Sequence, residues 1–306
     1  MEIKYIQYNE IDKQQWDNCI LNATNSLIYA HSFYLDNCTE HNWDAIVLND
    51  YEAVMPITHR RKYGINYLYQ PYFLQQAGIF STKKINEHLV NLFITEIEKR
   101  YQFAEINLNY ANSLSSNKKI KSIERNNFIL PLNYSYKNIS TKFNSNFVRN
   151  IKQASKHGFT YEKVEAVDEL IDLYKKLYGA RFELVKKSDY EALKINCKLL
   201  LANNNLVLRK ASINGKIHAA LILLKDAKRL YNIAPSVTEE GRKLSANHFL
   251  YNCVIEEFAG QDLILDFEGS DLKGIANFYQ SMNPINEKYI SVKYNNLPKL
   301  VKLFKK

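Results

Sequence analysis

The stretch Asn205–Ala234, NLVLRKASINGKIHAALILLKDAKRLYNIA, decides the architecture. Two apolar runs, Asn205–Ile213 and Lys216–Lys225, flank Asn214-Gly215. An Asn-Gly pair in that setting signals a tight hairpin, because a type I′ turn needs positive φ at both central residues. Asp226-Ala227-Lys228 then turns the chain into a third strand, Arg229–Ala234. Helical spacing surrounds this meander. Asn144–His157 presents Phe147, Val148, Ile151 and Ala154 and stops at Gly158, and a second helix is predicted from Asp168 to Leu184. Beyond the meander, Ser245 stands where an N-cap belongs, ahead of a helix to Ala259 with Ala246, Phe249, Leu250, Cys253, Val254 and Phe258 turned inward. A strand at Leu263–Phe267, a helix at Leu272–Met282, a last strand and a lysine-rich tail complete the half. This order reads as an α/β protein with a mixed sheet, in α+β layers.

The first half is sparser. A strand in the opening six residues precedes a helix at Asp12–Cys19 and short strands at Ala45–Leu48 and Ala53–Ile57 around Asn49-Asp50. Asn86–Arg100 is amphipathic through Leu89, Val90, Phe93 and Ile97, and Ala104–Leu108 reads as a strand. The polar stretch Asn133–Asn138 separates the halves, so domains are expected at 1–138 and 139–289.

A chain of 306 residues with 46% apolar and 13% aromatic residues has material for one or two cores, which excludes a disordered polymer. Its longest central apolar run, Ala219–Leu224, is too short to span a bilayer, and the opening residues carry no signal-peptide core. A soluble, cytoplasmic protein without a transmembrane segment is expected. Cys19, Cys38, Cys197 and Cys253 form no Cys-x-x-Cys pair and have no histidine at ligand spacing, so they read as buried thiols, with no metal site. No Gly-x-Ser-x-Gly elbow, phosphate-binding P-loop or dinucleotide glycine signature is present.

Charge is unevenly spread. The total is 41 − 32 = +9. Between Glu124 and Glu162 stand Arg125, Lys137, Lys142, Arg149, Lys152 and Lys156 with no acid; after Glu287 stand Lys288, Lys293, Lys299, Lys302, Lys305 and Lys306, again with none. Concentrated positive charge favours a polyanionic partner such as RNA, a nucleotide-linked substrate or coenzyme A. Arg149, Lys152 and Lys156 share one helix face and are candidates for donor phosphates. Arg242 and Lys243 arrive just before the Ser245 helix, whose unpaired amides suit a phosphate. At the end of the Leu263–Phe267 strand, Asp266 and Glu268 point the same way and could hold an ammonium or take its proton. Tyr279, on the next helix, is a candidate proton donor to a leaving group.

The meander, the helix start at Ser245, the Asp266-Phe267-Glu268-Gly269-Ser270 strand end and the helix Ala276–Pro284 with Tyr279 resemble the GNAT fold of N-acyltransferases. Asn150–Ala154 with Gly158, the Tyr178–Arg181 helix end, Gln70-Pro71-Tyr72 and Gln75–Ile79 extend this over nearly the whole chain, which resembles the Fem-type double-GNAT proteins. The resemblance implies two tandem GNAT-like domains: a degenerate 1–138, completed by 290–306 where the family's C-terminal segment returns, and a donor-binding 139–289. It implies an N-acyltransferase forming an amide on an amine acceptor such as a peptidoglycan precursor or an amino sugar. The donor would be acyl-CoA or aminoacyl-tRNA, used as a co-substrate and not tightly bound. In those terms Asp266, Glu268 and Tyr279 are catalytic, Arg242, Lys243, Ser245 and Ala246 bind the cofactor's pyrophosphate, and Arg149, Lys152, Lys156 and Arg181 hold donor phosphates. Where the family's pyrophosphate signature has Gly, then Gly or Ala, this chain has Ser245 and Asn247, which is compatible with a tRNA-linked donor. No DNA partner is expected. A catalytically silent double-GNAT module binding RNA or an envelope precursor is the reading from a different class.

Overall fold

In the computed structural model, Asn214 and Gly215 both take positive φ (49° and 77°), and the turn sets Ile213 opposite Lys216 in an antiparallel hairpin. The structure describes residues 2–115, 120–181 and 184–298. The chain divides into two units, Met1–Arg125 with Lys288–Lys306, and Asn126–Glu287.

Unit 1 begins with β1 (Ile3–Ile6), α1 (Lys13–Asn22), α2 (Ser32–Thr39), β2 (Trp43–Leu48) and β3 (Ala53–Lys62). Then follow β4 (Ile65–Leu68), β5 (Phe80–Ser81), α3 (Glu87–Arg100), β6 (Phe103–Leu108) and β7 (Ile120–Arg125). Asp12 caps α1 by accepting from the amides of Gln14 and Gln15. Asn86 caps α3 in the same way, through the amide of Leu89. The α3 face buries Val90, Phe93, Ile94 and Ile97 against the sheet, with Leu89 at its margin.

Unit 2 contains β8 (Phe128–Pro131), α4 (Tyr136–Ser140), α5 (Ser145–Ala154), β9 (Thr160–Lys163), α6 (Val167–Tyr178) and α7 (Lys187–Ala202). The meander is β10 (Leu206–Ile213), β11 (Lys216–Lys225) and β12 (Arg229–Asn232), followed by β13 (Ser236–Val237). Next come α8 (Glu239–Lys243), α9 (Ala246–Phe258), β14 (Ile264–Asp266), α10 (Lys273–Gln280) and β15 (Ile285–Asn286). Among the described residues the sheet runs β15-β8-β14-β12-β11-β10-β9, and only the β12–β14 step is parallel. A parallel step needs a crossover, and α9 supplies it, burying Leu250, Tyr251, Val254, Ile255 and Phe258 on the sheet.

The chain ends its described course in unit 1, where β16 (Tyr289–Asn295) lies between β6 and β7 in the order β1-β2-β3-β4-β6-β16-β7. There too one step, β4–β6, is parallel and α3 makes the crossover. Each unit therefore repeats one plan: antiparallel strands, a crossover helix, a parallel neighbour. Residues 299–306, with Lys299, Lys302, Lys305 and Lys306, lie outside the described residues.

Several elements differ from the sequence reading. α7 is an additional helix; its buried Ala192, Leu193, Cys197 and Leu200 follow a helical period that the neighbouring Asn203-Asn204-Asn205 run masks. The helix expected to reach Leu184 ends at Tyr178 and passes into a 3₁₀ turn over Gly179–Arg181, and residues 182–183 are outside the description. The polar stretch Asn133–Asn138 lies inside unit 2: Gly260 donates to the carbonyls of Leu132 and Tyr134. Cys19, Cys38 and Cys197 are buried and Cys253 is half-buried, all as free thiols. Among the described residues no helix is long and apolar enough to cross a membrane.

One glycine fixes how α8 meets the sheet. A Cβ at Gly241 would stand 2.2 Å from the carbonyl oxygen of His218 on β11, an atom that also accepts from the amide of Thr238. Backbone cannot yield to that overlap. Gly241→Ala is therefore expected to destabilise the protein by about 1–3 kcal/mol, read as a lower midpoint in urea unfolding with an unchanged m-value.

Candidate functional site

β11 has two partners in succession. Its Leu223–Lys225 pairs with β12 and its Ala219–Ala220 with β13. Between them Ile233–Pro235 leaves the ladder, with the Ile233 amide shared between the carbonyls of Ile222 and Tyr231. On the other side β12 matches β14 only as far as Tyr231 opposite Asp266. Past that point the parallel strands part, and a group of polar side chains occupies the end of the sheet.

Three elements supply it. Asn232, at the end of β12, donates through Nδ2 to the Tyr251 hydroxyl of α9 (2.6 Å) and the Tyr279 hydroxyl of α10 (3.3 Å). The ring of Phe267 stacks on Tyr279 with centroids 4.6 Å apart. Burial pushes the Tyr279 phenol up to about 12, and the nearby Glu268 charge adds to the effect. Tyr279 is thus a protonated hydroxyl at neutral pH, able to donate. Asn232 Oδ1 and the Ser236 hydroxyl, on residues 1% exposed, are buried with no hydrogen-bond partner among the described residues. Buried polar atoms of this kind call for a partner from outside the chain.

Asp266 does not join this group as a free carboxylate. It is 1% exposed and accepts from Arg229 (2.9 Å), from Asn127 Nδ2 (3.3 Å) and from the Glu268 amide (3.0 Å). Arg229 also makes a two-pronged pair with Glu287, at 2.8 and 3.0 Å. Burial raises the pKa of both carboxyls, against the pull of Arg229, since one guanidinium serves two acids. The strict i, i+2 alternation expected for Asp266 and Glu268 also ends early. β14 stops at Asp266, and Glu268 and Gly269 both take positive φ (62° and 83°). The Asp266 carboxylate and Asn127 Oδ1, which accepts from Gly269 (2.7 Å), hold that turn and aim the half-buried Glu268. A non-glycine residue in the left-handed region is backbone strain held by its surroundings.

The start of α9 borders the same strands. Ser245 sits in the N-cap position at φ 61°, and its side chain does not cap the helix as expected; its hydroxyl donates to Asn150 Oδ1 on α5 (3.3 Å). The first-turn amides, beginning with that of the fully buried Ala246, have no intrahelical acceptor. Asn247 Oδ1 and His248 Nδ1 in that turn are buried without partners among the described residues, and burial lowers the His248 pKa to about 4, which keeps the imidazole neutral.

The basic candidates are all exposed. Tyr178 brings two of them together: Arg242 donates to its hydroxyl (3.3 Å) and Arg181 lies over its ring at 5.8 Å. Lys243 pairs with Glu239. Arg149, which donates to Asn146, and Lys152 lie on α5, the helix that reaches α9 through Asn150; Lys156 lies on the 3₁₀ turn after it. Sequence reading missed Asn232, Tyr251, Arg229 and Asn127. Arg229 alone carried a signal, as a charge opening a strand otherwise destined for the core.

Residues 141–278 match the family model of an acetyltransferase (GNAT) domain. No curated protein matches the chain. The solved structure of FemX covers 100% of this chain and is itself covered over 100%, at 12% identity and a TM-score of 0.64. L-PGS from Bacillus licheniformis covers 96% of this chain and 95% of its own length, at 9% identity and TM-score 0.56. A tandem GNAT protein from the clavulanic acid biosynthesis pathway covers 97% and 100%, at 7% identity and TM-score 0.54. The protein is therefore a mixed α/β chain of two GNAT-like units. Its fold is that of the Fem-like double-GNAT proteins.

Removing Arg229 tests the buried charge group. Arg229→Met would leave Asp266 and Glu287 buried with no cation, and a loss of about 3–5 kcal/mol is expected at pH 7. Both carboxyl pKa values are raised by folding, so their stabilising contribution is present at low pH and fades as pH rises through the folded values. The variant's deficit should therefore shrink toward pH 4, measured by urea unfolding at both pH values.

Proposed function

We propose that the protein is an N-acyltransferase that joins an acyl or aminoacyl group to an amine acceptor. The observation that carries this is the parting of β12 and β14, where a protonated Tyr279 lies beside the unpartnered Asn232 Oδ1. Amide formation needs a neutral amine, a held carbonyl, and a proton for the departing thiolate or alkoxide. Tyr279 is assigned the last role, its raised pKa keeping the proton in place until charge develops on the leaving atom. Glu268 is assigned to orient the ammonium and take its proton. Asp266 is assigned to positioning, through the Glu268 amide, in place of the direct catalytic role expected from sequence.

The donor's phosphates are assigned to the α9 start, at Ser245 and Ala246, with Arg242 and Lys243 before it and Arg181 gathered at Tyr178. Arg149, Lys152 and Lys156 would extend the contact to a longer polyanion. Asn247 Oδ1, with no partner among the described residues, can accept from either donor, acyl-CoA or aminoacyl-tRNA. The acceptor is assigned by chemistry only: an amine on a peptidoglycan precursor or amino sugar.

Transfer assays with acetyl-CoA and with charged tRNA test the assignment. Tyr279→Phe, which keeps the stack on Phe267, is expected to lower kcat by roughly 10²-fold or more while leaving the unfolding midpoint close to that of the parent. Glu268→Gln should lower kcat/KM by roughly 10²-fold. Full activity in both folded variants would remove Tyr279 and Glu268 from the chemistry.

A further inference from the structure

Unit 1 contains a cavity of about 610 Å³ to which the transfer chemistry assigns nothing. Its wall is made by the end of β1 and the turn after it, the chain between α2 and β2, the paired ends of β3 and β4, and the end of α3. No aliphatic residue lines it. Its lining of arginines, amides, histidines and tyrosine hydroxyls suits a polar ligand better than an acyl chain or a lipid tail.

Three arginines, Arg60, Arg61 and Arg100, face the cavity, against one acid, Asp44. The acid is already used by the wall: it accepts from the Tyr5 hydroxyl (2.6 Å) and the Tyr8 amide (2.9 Å), and His59 lies 3.2 Å away. Burial would raise its pKa, but hydrogen bonds from His59, Tyr5 and the Tyr8 amide offset that and hold the carboxyl below the usual range. Of the arginines, Arg100 is paired with Glu96 (2.6 Å). Arg60 is stacked over the Tyr69 ring at 3.9 Å, and neither it nor Arg61 has a carboxylate partner among the described residues. Arg61 sits directly across the β3–β4 ladder from Asn66, whose amide lines the same wall. Two arginines with no acid partner among the described residues, against the one engaged carboxylate of Asp44, leave the wall with an excess of positive charge.

We propose that this cavity is a second binding site, for a hydrophilic ligand carrying a multivalent oxyanion, a phosphate or a polycarboxylate. Arg61 holds the anion, since its planar fork suits both oxyanions, and Arg60, held over Tyr69, adds positive charge to the wall. Asn66 and Tyr8 contact the polar body. Asp44 keeps Tyr5 and Tyr8 in place and does not meet the ligand.

The full-length protein is titrated with sodium pyrophosphate and, separately, with citrate, following thermal unfolding and calorimetric heat at constant ionic strength set with NaCl. Saturable stabilisation by either is expected, since a ligand that binds only the native state raises its stability by mass action. Pyrophosphate alone would identify a phosphate ligand, and citrate as well would identify the oxyanion in general. Arg61→Glu should weaken binding about tenfold or more, the loss of a charge-assisted bond. Asn66→Asp, an exposed change on the facing strand, should weaken it in the same direction and serves if Arg61→Glu fails to fold. No saturable response to either anion in the parent protein overturns the proposal. So does a response that a folded Arg61→Glu or Asn66→Asp leaves undiminished.

Discussion

Arg229 is the charge on which unit 2 depends. It opens β12, is 4% exposed, and meets Asp266 of β14 and Glu287 beyond β15. Burial works against the charged guanidinium, and the two carboxylates hold it protonated. A lone buried charge is costly, and a pair repays that cost only with good geometry and full hydrogen bonding. Here the remaining valences are met: Asn127 and the Glu268 amide complete Asp266, and Glu287 takes a two-pronged bond. The same bonds tie β8, β12, β14 and β15 into one sheet end.

That sheet end determines what the neighbouring opening can do. β12 and β14 are pinned together at Asp266 and part beyond it, so Asn232 and Glu268 are carried on backbone that leaves the ladder in two directions. Tyr251 and Tyr279 fill in from the helices, and their hydroxyls converge on one amide. The rigid charge group and the polar opening are adjacent because a splayed parallel pair needs a strong anchor just before it parts. Unit 1 repeats the plan with different contents. At its own parallel step, Asn25, Asn109 and Asn112 satisfy one another and the carbonyl of Ile79. Its unspent donors lie elsewhere, at the ends of β3 and β4.

Much of the fold was legible because local signals agreed with tertiary need. Asn214-Gly215 makes the hairpin, Asn86 and Asp12 cap the helices they precede, and Gly158 ends the α5 segment at φ 70°. Where the signals were local but ambiguous, reading failed. Ser245 looks like a cap by type, yet a left-handed backbone and Asn150 claim it. α7 has a helical period, yet the sequence reading assigned no element there. In the candidate site, position along the chain drew attention to Tyr279 and Glu268, while Asn232 and Tyr251 look like any core residues in a strand and a helix.

The sequence by itself determined the order of elements, the meander with its turn, the apolar faces that make two cores, and the uneven charge. These follow from backbone preference and period, which act over a few residues. Only the tertiary structure decided which of two neighbouring carboxylates is locked into a buried ion pair. Asp266 and Glu268 are two residues apart and chemically alike, and what separates them is Arg229, on a different strand, together with a positive φ at Glu268. It likewise decided that β16 belongs with β6 and β7, and that Arg60 and Arg61 meet no acid among the described residues. Pairings between distant segments depend on the whole packed chain, and no stretch of sequence records them.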